Sequence, residues 1–296
     1  MIPQLVEVRD EQLAGWPLAR ANYEALAHTE RRSINIGPLQ GALQCNPARI
    51  VSTGARTDAA SIGKRPCFLC AANRPAEQLS EEIIPGWEFL VNPYPIFPLH
   101  FTIASTQHIP QGDVPLEMAS MAERLPGMTV FFNGAKAGAS APDHLHCQTV
   151  ITSELPLMRY LEEGRNPDAL PFKVHYSVIR PDVEGMIRLH LLTNSSGPDS
   201  LPGCAESGLV NAYMWIGEDG MLRVAVVPRK AHRPSCYTTG SGAGYMVSPG
   251  AIDMAGVVIL PRRADFDSIT QADVDKIYSE VALPPSGTDG MSEINK

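Results

Sequence analysis

Residues 138–148 read GASAPDHLHCQ, with His144, His146 and Gln148 at every second position behind a small-residue loop that contains Ser140. On a β-strand alternate side chains share a face, so these three would form one polar row, with Leu145, Cys147 and Thr149 facing the other way. Neutral imidazole is a nucleophile near pH 7 and a common metal ligand, and an amide can donate hydrogen bonds. A strand with one core face and one polar face also alternates in this manner, so the row needs support from elsewhere in the chain.

Cys67 and Cys70, in KRPCFLCAANRP, have the spacing that holds two corners of a tetrahedral zinc site. The chain offers His100, His108 and His144 for the other two corners. A plain buried pair is one competing reading and a redox dithiol another, but for the latter the strand-then-helix setting it needs is missing and prolines flank the pair. Arg229, Lys230, His232 and Arg233 form a dense cationic cluster that could hold a phosphate of a second substrate, or simply be a solvated loop. TTGSGAG neither follows a clear strand nor opens a clear helix, which argues against a dinucleotide fingerprint.

The bulk properties narrow the field. With 296 residues, 44% hydrophobic and 19% charged, the chain reads as a globular protein with one large or two ordinary domains. A net charge of −8 argues against nucleic-acid or anionic-membrane partners, so an anionic substrate must meet a local group of cations. MIPQLVEVRDEQ, acidic early and without an apolar h-region, does not read as a secretory signal, and no uncharged apolar run approaches bilayer-spanning length. The six cysteines are too sparse for a disulfide scaffold, and a reducing cytoplasm is the expected compartment.

The elements that must position these residues can be read coarsely. A weak helical signal surrounds LARANYEALAH, and PARIVSTGARTD, rich in β-branched residues, is expected to be a strand entering a glycine turn. WEFLV and HFTIAST are expected strands, Val114, Met118, Met121 and Leu125 predict a helix capped by Asp113, and TVFFNG and the motif are strands again. The second half should contain strands at VHYSVIR, IRLHLLT and AGVVIL and a hairpin turning at Glu218-Asp219-Gly220. A final helix should start at Thr270, with Asp273 completing a capping box. FTIASTQHIP and VAVVPRKAHRP are both strands followed by a polar step and a histidine, a faint echo of duplication. The fold expected is α+β with two units, 1–165 and 166–296, each an antiparallel sheet with packed helices.

HLHCQ, preceded by FFNGAKAGAS and HFTIASTQH, resembles the histidine-triad superfamily, in the branch typified by galactose-1-phosphate uridylyltransferase. QCNPARIVSTGAR resembles that branch's Asn-Pro segment ending in a phosphate-contacting arginine, and also a Gln-x-Asn segment of GDP-hexose phosphorylases. The likeness covers residues 45–150; the second half would be a degenerate histidine-triad-like unit.

The resemblance implies a nucleotidyltransferase or phosphorylase. It would move a nucleoside monophosphate from a nucleotide sugar or dinucleoside polyphosphate to phosphate or a sugar phosphate, through a covalent nucleotidyl-histidine. It implies His146 as nucleophile, Gln148 as donor to a phosphate oxygen, Ser140 and Asn133 at the phosphate and nucleotide, Arg56 at phosphate and Asn92 near the ribose. It implies structural zinc on Cys67, Cys70, His108 and His144, with His100 the rival to His108. Relatives can complete a site from a neighbouring subunit, which allows a homodimer. Two departures are visible: one extra residue separates Ser140 from His144, and Pro93 stands where the uridylyltransferase carries an acidic residue. The alternatives are a histidine-triad hydrolase, disfavoured because Gln148 cannot do acid–base work, and a non-catalytic zinc-stabilised nucleotide-binding protein.

Overall fold

The computed structural model describes residues 1–180, 208–240 and 242–285. The strand expected at IRLHLLT, with His190, Cys204 and the tail from residue 286, lies outside the described residues. The helices are α1 (Ile2–Gly15), α2 (Pro17–Leu26), α3 (Ile50–Thr53), α4 (Ala59–Ile62), α5 (Met118–Arg124), α6 (Pro156–Glu162), α7 (Ala251–Met254), α8 (Arg263–Ser268) and α9 (Gln271–Val281). The strands are β1 (Glu30–Ile36), β2 (Leu39–Cys45), β3 (Ser80–Ile84), β4 (Trp87–Val91), β5 (His100–Ser105), β6 (Met128–Asn133), β7 (His146–Ile151), β8 (His175–Ile179), β9 (Val210–Ile216), β10 (Leu222–Pro228) and β11 (Val257–Leu260).

The protein is α+β. An eight-stranded sheet runs β3-β4-β5-β7-β6-β9-β10-β8, and every neighbouring pair in it is antiparallel. The first half supplies one contiguous block of strands and the second half the other, joined where β6 pairs with β9. A three-stranded sheet, β1-β2-β11, packs on one face, with β11 parallel to β2. AGVVIL thus forms its strand, but beside the N-terminal hairpin instead of beside its sequence neighbours.

The two faces of the large sheet bury different sets. Phe101, Ile103, Cys147, Val130 and Phe132 pack with Met118, Met121 and Ala122 of α5 on one side. Phe131, Val150, Tyr213 and Trp215 pack on the other with α6, β2, β11 and α9, a core that draws on both halves. The site lies on this second face, where small and polar residues interrupt the apolar packing.

Two local expectations are corrected, and one hairpin is added to them. PARIVSTGARTD is helical, a 3₁₀ turn at Pro47–Arg49 continuing into α3; proline fits the first helical turn, and this outweighs the β-branched composition. The helix expected from Asp113 begins only at Met118, after Pro115, with Glu117 at its N-cap. The hairpin β1–β2 carried no strand expectation; it turns at Gly37, whose φ of +55° suits glycine. The Glu218-Asp219-Gly220 hairpin and the Thr270–Asp273 capping box form as expected.

Candidate active site and metal centre

The motif strand begins at His146, not at His144. The turn over Ala141–His144, closed by the His144 N–H on the Ala141 carbonyl, keeps His144 out of the ladder. His146 and Gln148 share one strand face opposite Ala104 and Thr102 of β5, so the expected row holds for these two. Where β6–β7 pairing ends at Phe131–Gln148, the buried amide of Gln111 takes over. Its Nε2 donates to the Asn133 and His146 carbonyls at 2.7 and 2.9 Å, and its Oε1 accepts the His146 N–H at 2.9 Å. This fixes the backbone that carries His146.

The His146 ring is 4% exposed and lines a cavity of about 660 Å³. Its Nδ1 is 2.8 Å from the His144 carbonyl oxygen, which can only accept, so Nδ1 carries the proton. Burial pushes its pKa down to about 4, against a smaller opposing effect of that hydrogen bond. At neutral pH the ring is uncharged and its Nε2 lone pair has no partner among the described residues. The arrangement presents a held, neutral nucleophile.

Gln148 lies on the same cavity wall. Its Oε1 is 2.8 Å from His100 Nε2 and 3.4 Å from Asn92 Nδ2. Asn92 also donates to Thr102 Oγ1 at 3.2 Å and accepts the Tyr94 N–H at 3.0 Å, so its amide is largely occupied in supporting Gln148. His100, the rival zinc ligand, stands in this polar chain and not among the cysteines. Asn133 Oδ1 accepts from Asn211 Nδ2 at 3.1 Å and the Ala251 N–H at 2.7 Å, leaving its own NH₂ without a described acceptor.

The loop that carries Ser140 passes very close to α7. Gly138 has φ +99°, and a Cβ there would sit 2.5 Å from Gly250 Cα and 3.2 Å from Asn133 Oδ1. Ser140, half-buried, lines the cavity with Gly138 and Ala139.

Four arginines line the cavity: Arg49, Arg56, Arg65 and Arg233. Arg56 is exposed at the rim. Arg233 donates to Ser248 Oγ and to the Ala55 carbonyl, both at 2.9 Å, tying the two halves together. Arg65 pairs with Asp143 at 2.7 Å. Arg49 donates to the Tyr94 carbonyl at 2.7 Å, while its Nε is buried without a partner. Burial pushes the pKa of nearby Asp253 up to about 6. Of the cationic cluster, only His232 and Arg233 line the cavity. Arg229 is 1% exposed and its guanidinium is spent on Asn211 Oδ1 and four carbonyls. Lys230 is exposed and donates to the Ser279 carbonyl.

Cys67, Cys70, His108 and His144 come together with all their ligating atoms within 4.8 Å of one another. Cys67 Sγ is 3.3 Å and Cys70 Sγ 3.6 Å from His144 Nδ1; His108 Nδ1 is 3.2 Å from Cys70 Sγ and 3.4 Å from His144 Nδ1. A tetrahedral site with metal–ligand bonds of about 2.0–2.3 Å has ligand–ligand edges of roughly 3.5 Å. His144 Nε2 is 2.8 Å from the Ser105 carbonyl, so it carries the proton and Nδ1 offers a lone pair. Two nitrogen lone pairs and two sulfurs facing one point repel one another unless a cation lies between them, and the donor set could hold a metal ion. Leu69 and Cys67 pack on Leu90 and Ala104, seating the knuckle on the sheet.

Sequence reasoning missed Arg49, Gln111 and the part played by His100. Arg49 lay within the quoted Asn-Pro segment, but without the helical turn nothing aimed it inward; Gln111 carried no signal.

A family profile described as "Domain of unknown function (DUF4922)" matches residues 8–151. No curated protein matches the chain. Among solved structures, yeast Ap4A phosphorylase Apa2 in complex with AMP is similar, with a TM-score of 0.59 and 14% identity, covering 94% of this chain and 99% of that chain. The same yeast enzyme in complex with Ap4A gives 0.59 and 14%, covering 95% and 98%. At this identity the likeness is one of fold.

Proposed function

We propose that the protein is a nucleotidyltransferase of the phosphorylase type, in the galactose-1-phosphate uridylyltransferase-like branch of the histidine-triad superfamily. It would cleave a dinucleoside polyphosphate or a nucleotide sugar through a nucleotidyl-His146 intermediate. The observation that carries this reading is the His146 ring itself: neutral, pinned through Nδ1, with Nε2 free on the wall of a cavity large enough for a nucleotide. The fold likeness to an Ap4A phosphorylase favours a dinucleoside polyphosphate over a nucleotide sugar as donor.

His146 Nε2 attacks the α-phosphorus, a P–N bond forms, and the P–O bond to the leaving polyphosphate breaks. Inorganic phosphate, or a sugar phosphate, then displaces the histidine; with phosphate the product is a nucleoside diphosphate. The NH₂ groups of Gln148 and Asn133 donate to the non-bridging oxygens as charge builds there. Ser140 contacts the neighbouring phosphate, and Asn92, whose NH₂ is engaged with Thr102 and Gln148, meets the ribose only through the remaining lone pair of Oδ1. Arg56, Arg49 and Arg233 supply the local positive field that a chain of net charge −8 otherwise lacks. Arg229 and Lys230, expected to bind phosphate, are supported in that role by no cavity contact; Arg229 braces the fold. A zinc ion on Cys67, Cys70, His108 and His144 would have four protein ligands and serve structure, and the chain's own residues do the chemistry.

We read residues 1–165 and 166–296 as two related units sharing one sheet, the first bearing the nucleophile. The free cysteines Cys45, Cys67, Cys70, Cys147 and Cys236 are consistent with the cytoplasm.

The test is a donor panel of dinucleoside polyphosphates and nucleotide sugars with and without phosphate, products separated by ion exchange. Ap4A with phosphate should yield ADP and ATP. AMP and ATP as the main products would make the protein a hydrolase, and binding without turnover a non-catalytic nucleotide receptor.

A further inference from the structure

We propose that His100 is a positioning residue that fixes which end of the Gln148 amide faces the cavity, making Gln148 a hydrogen-bond donor toward bound phosphate. The phosphate in that statement rests on the function proposed above; the orientation of the amide does not.

The inference follows from which atoms can only donate. The Ile96 backbone N–H lies 3.1 Å from His100 Nδ1, so Nδ1 must accept and carries no proton. A neutral imidazole unprotonated at Nδ1 is protonated at Nε2. That Nε2–H is 2.8 Å from Gln148, and the atom it meets must accept, which makes it Oε1. A second chain reaches the same atom. The Tyr94 N–H donates to Asn92 Oδ1 at 3.0 Å, which turns Asn92 Nδ2 toward Gln148 Oε1 at 3.4 Å.

Both chains start from backbone donors in the Pro-rich segment NPYPIFP, where neither can be reversed without moving main chain. A flipped Gln148 would set its NH₂ against two donors and turn its oxygen to the cavity, where it would repel a phosphate. His100 is fully buried (0% exposed), so water cannot relieve such a mismatch. Burial, reinforced by the Arg49 charge, holds the His100 pKa down to about 3, so the neutral ring persists at physiological pH. The amide orientation is thus dictated two steps away from the ligand by the fold of the 92–96 segment.

Two measurements decide it. Long-range ¹H–¹⁵N correlation on the full chain reads the His100 tautomer: a proton on Nε2 is expected, and a proton on Nδ1 overturns the proposal. A double-mutant cycle with Ap4A and phosphate then compares wild type, His100→Leu, Gln148→Ala and the pair. Each single change should lower kcat on the order of 10²-fold with KM little moved, and the double variant should fall no further than about threefold below either. His100→Gln, which keeps an N–H donor near the Nε2 position, should recover roughly tenfold over His100→Leu. Multiplicative losses in the double variant, or no recovery with glutamine, would mean that His100 does not act through Gln148 and would overturn the proposal. If His100→Leu fails to fold, the tautomer and the glutamine variant still decide. A wild type inert toward the whole panel of dinucleoside polyphosphates and nucleotide sugars, with the proton on Nε2, would sink the proposed function and leave the amide orientation standing.

Discussion

At the scale of single residues, the cavity wall that carries His146 is built by assigning each polar atom one role. His146 spends Nδ1 on a carbonyl and keeps Nε2; Asn133 spends Oδ1 on Asn211 and Ala251 and keeps its NH₂. Arg229 shows the opposite outcome, with every guanidinium nitrogen committed to the protein. Arg229→Ala should therefore destabilise the protein by about 3 kcal/mol or more in urea unfolding, because Asn211 and several carbonyls lose a charged donor. Ala variants of Arg56 should cost about 1 kcal/mol or less in the same measurement. Residue types at fixed spacing were legible: the Cys-x-x-Cys pair, His144 and His146 with Gln148 could be picked out in one dimension. The difference between Arg229 and Arg233, four positions apart, could not, because it depends on which side of β10 and its following loop each guanidinium finds carbonyls.

At the scale of elements, two tight features aim these residues. One is the turn that lifts His144 out of β7 toward the cysteines while leaving His146 on the strand. A metal there would join the knuckle to the root of β7, so chelation should lower the melting temperature by at least 5 °C and weaken AMP binding in parallel. An unchanged melting curve after verified metal removal would contradict a structural metal. The other is the passage of Gly138 over Gly250. Gly138→Ala would be strained both by its φ of +99° and by the 2.5 Å approach, and should cost about 1–3 kcal/mol while displacing Asn133 and weakening nucleotide binding. Short apolar runs bounded by turn signals, such as β9 and β10 around Glu218-Asp219-Gly220, were readable from pattern. The 47–53 segment was not, since Pro47 and the packing of Arg49 toward the cavity outweigh the preference of Ile50, Val51 and Thr53 for strands.

At the scale of the molecule, one eight-stranded sheet and the cores on both of its faces serve both halves, and the cavity takes Ser248, Gly250 and Arg233 from the second half beside His146 from the first. The sequence pattern suggested two units but could not show that β6 meets β9 or that β11 returns to β2, pairings set by long-range burial. The fold also buries two imidazoles in neutral form: desolvation lowers His100 to about 3 and His146 to about 4. Their unfolded-state pKa is about 6.5, so the unfolded chain binds more protons between about pH 6.5 and 4. Stability should be fully present above about pH 6.5 and fall as pH drops, by up to about 1.4 kcal/mol per pH unit for each such histidine. Asp253, raised to about 6 by burial, works in the opposite sense in the same window and offsets about one histidine. Urea midpoints at pH 7, 6 and 5 should still fall, and midpoints that rise as pH drops would contradict neutral burial.

The central claim is that His146 becomes covalently nucleotidylated. The direct measurement is intact-protein mass spectrometry after mixing the full chain with Ap4A in the absence of phosphate. A species heavier by one adenylyl group should form in the wild type, disappear on adding phosphate with release of ADP, and be absent from His146→Ala. An adduct of the same mass and yield in His146→Ala would show that the nucleophile lies elsewhere.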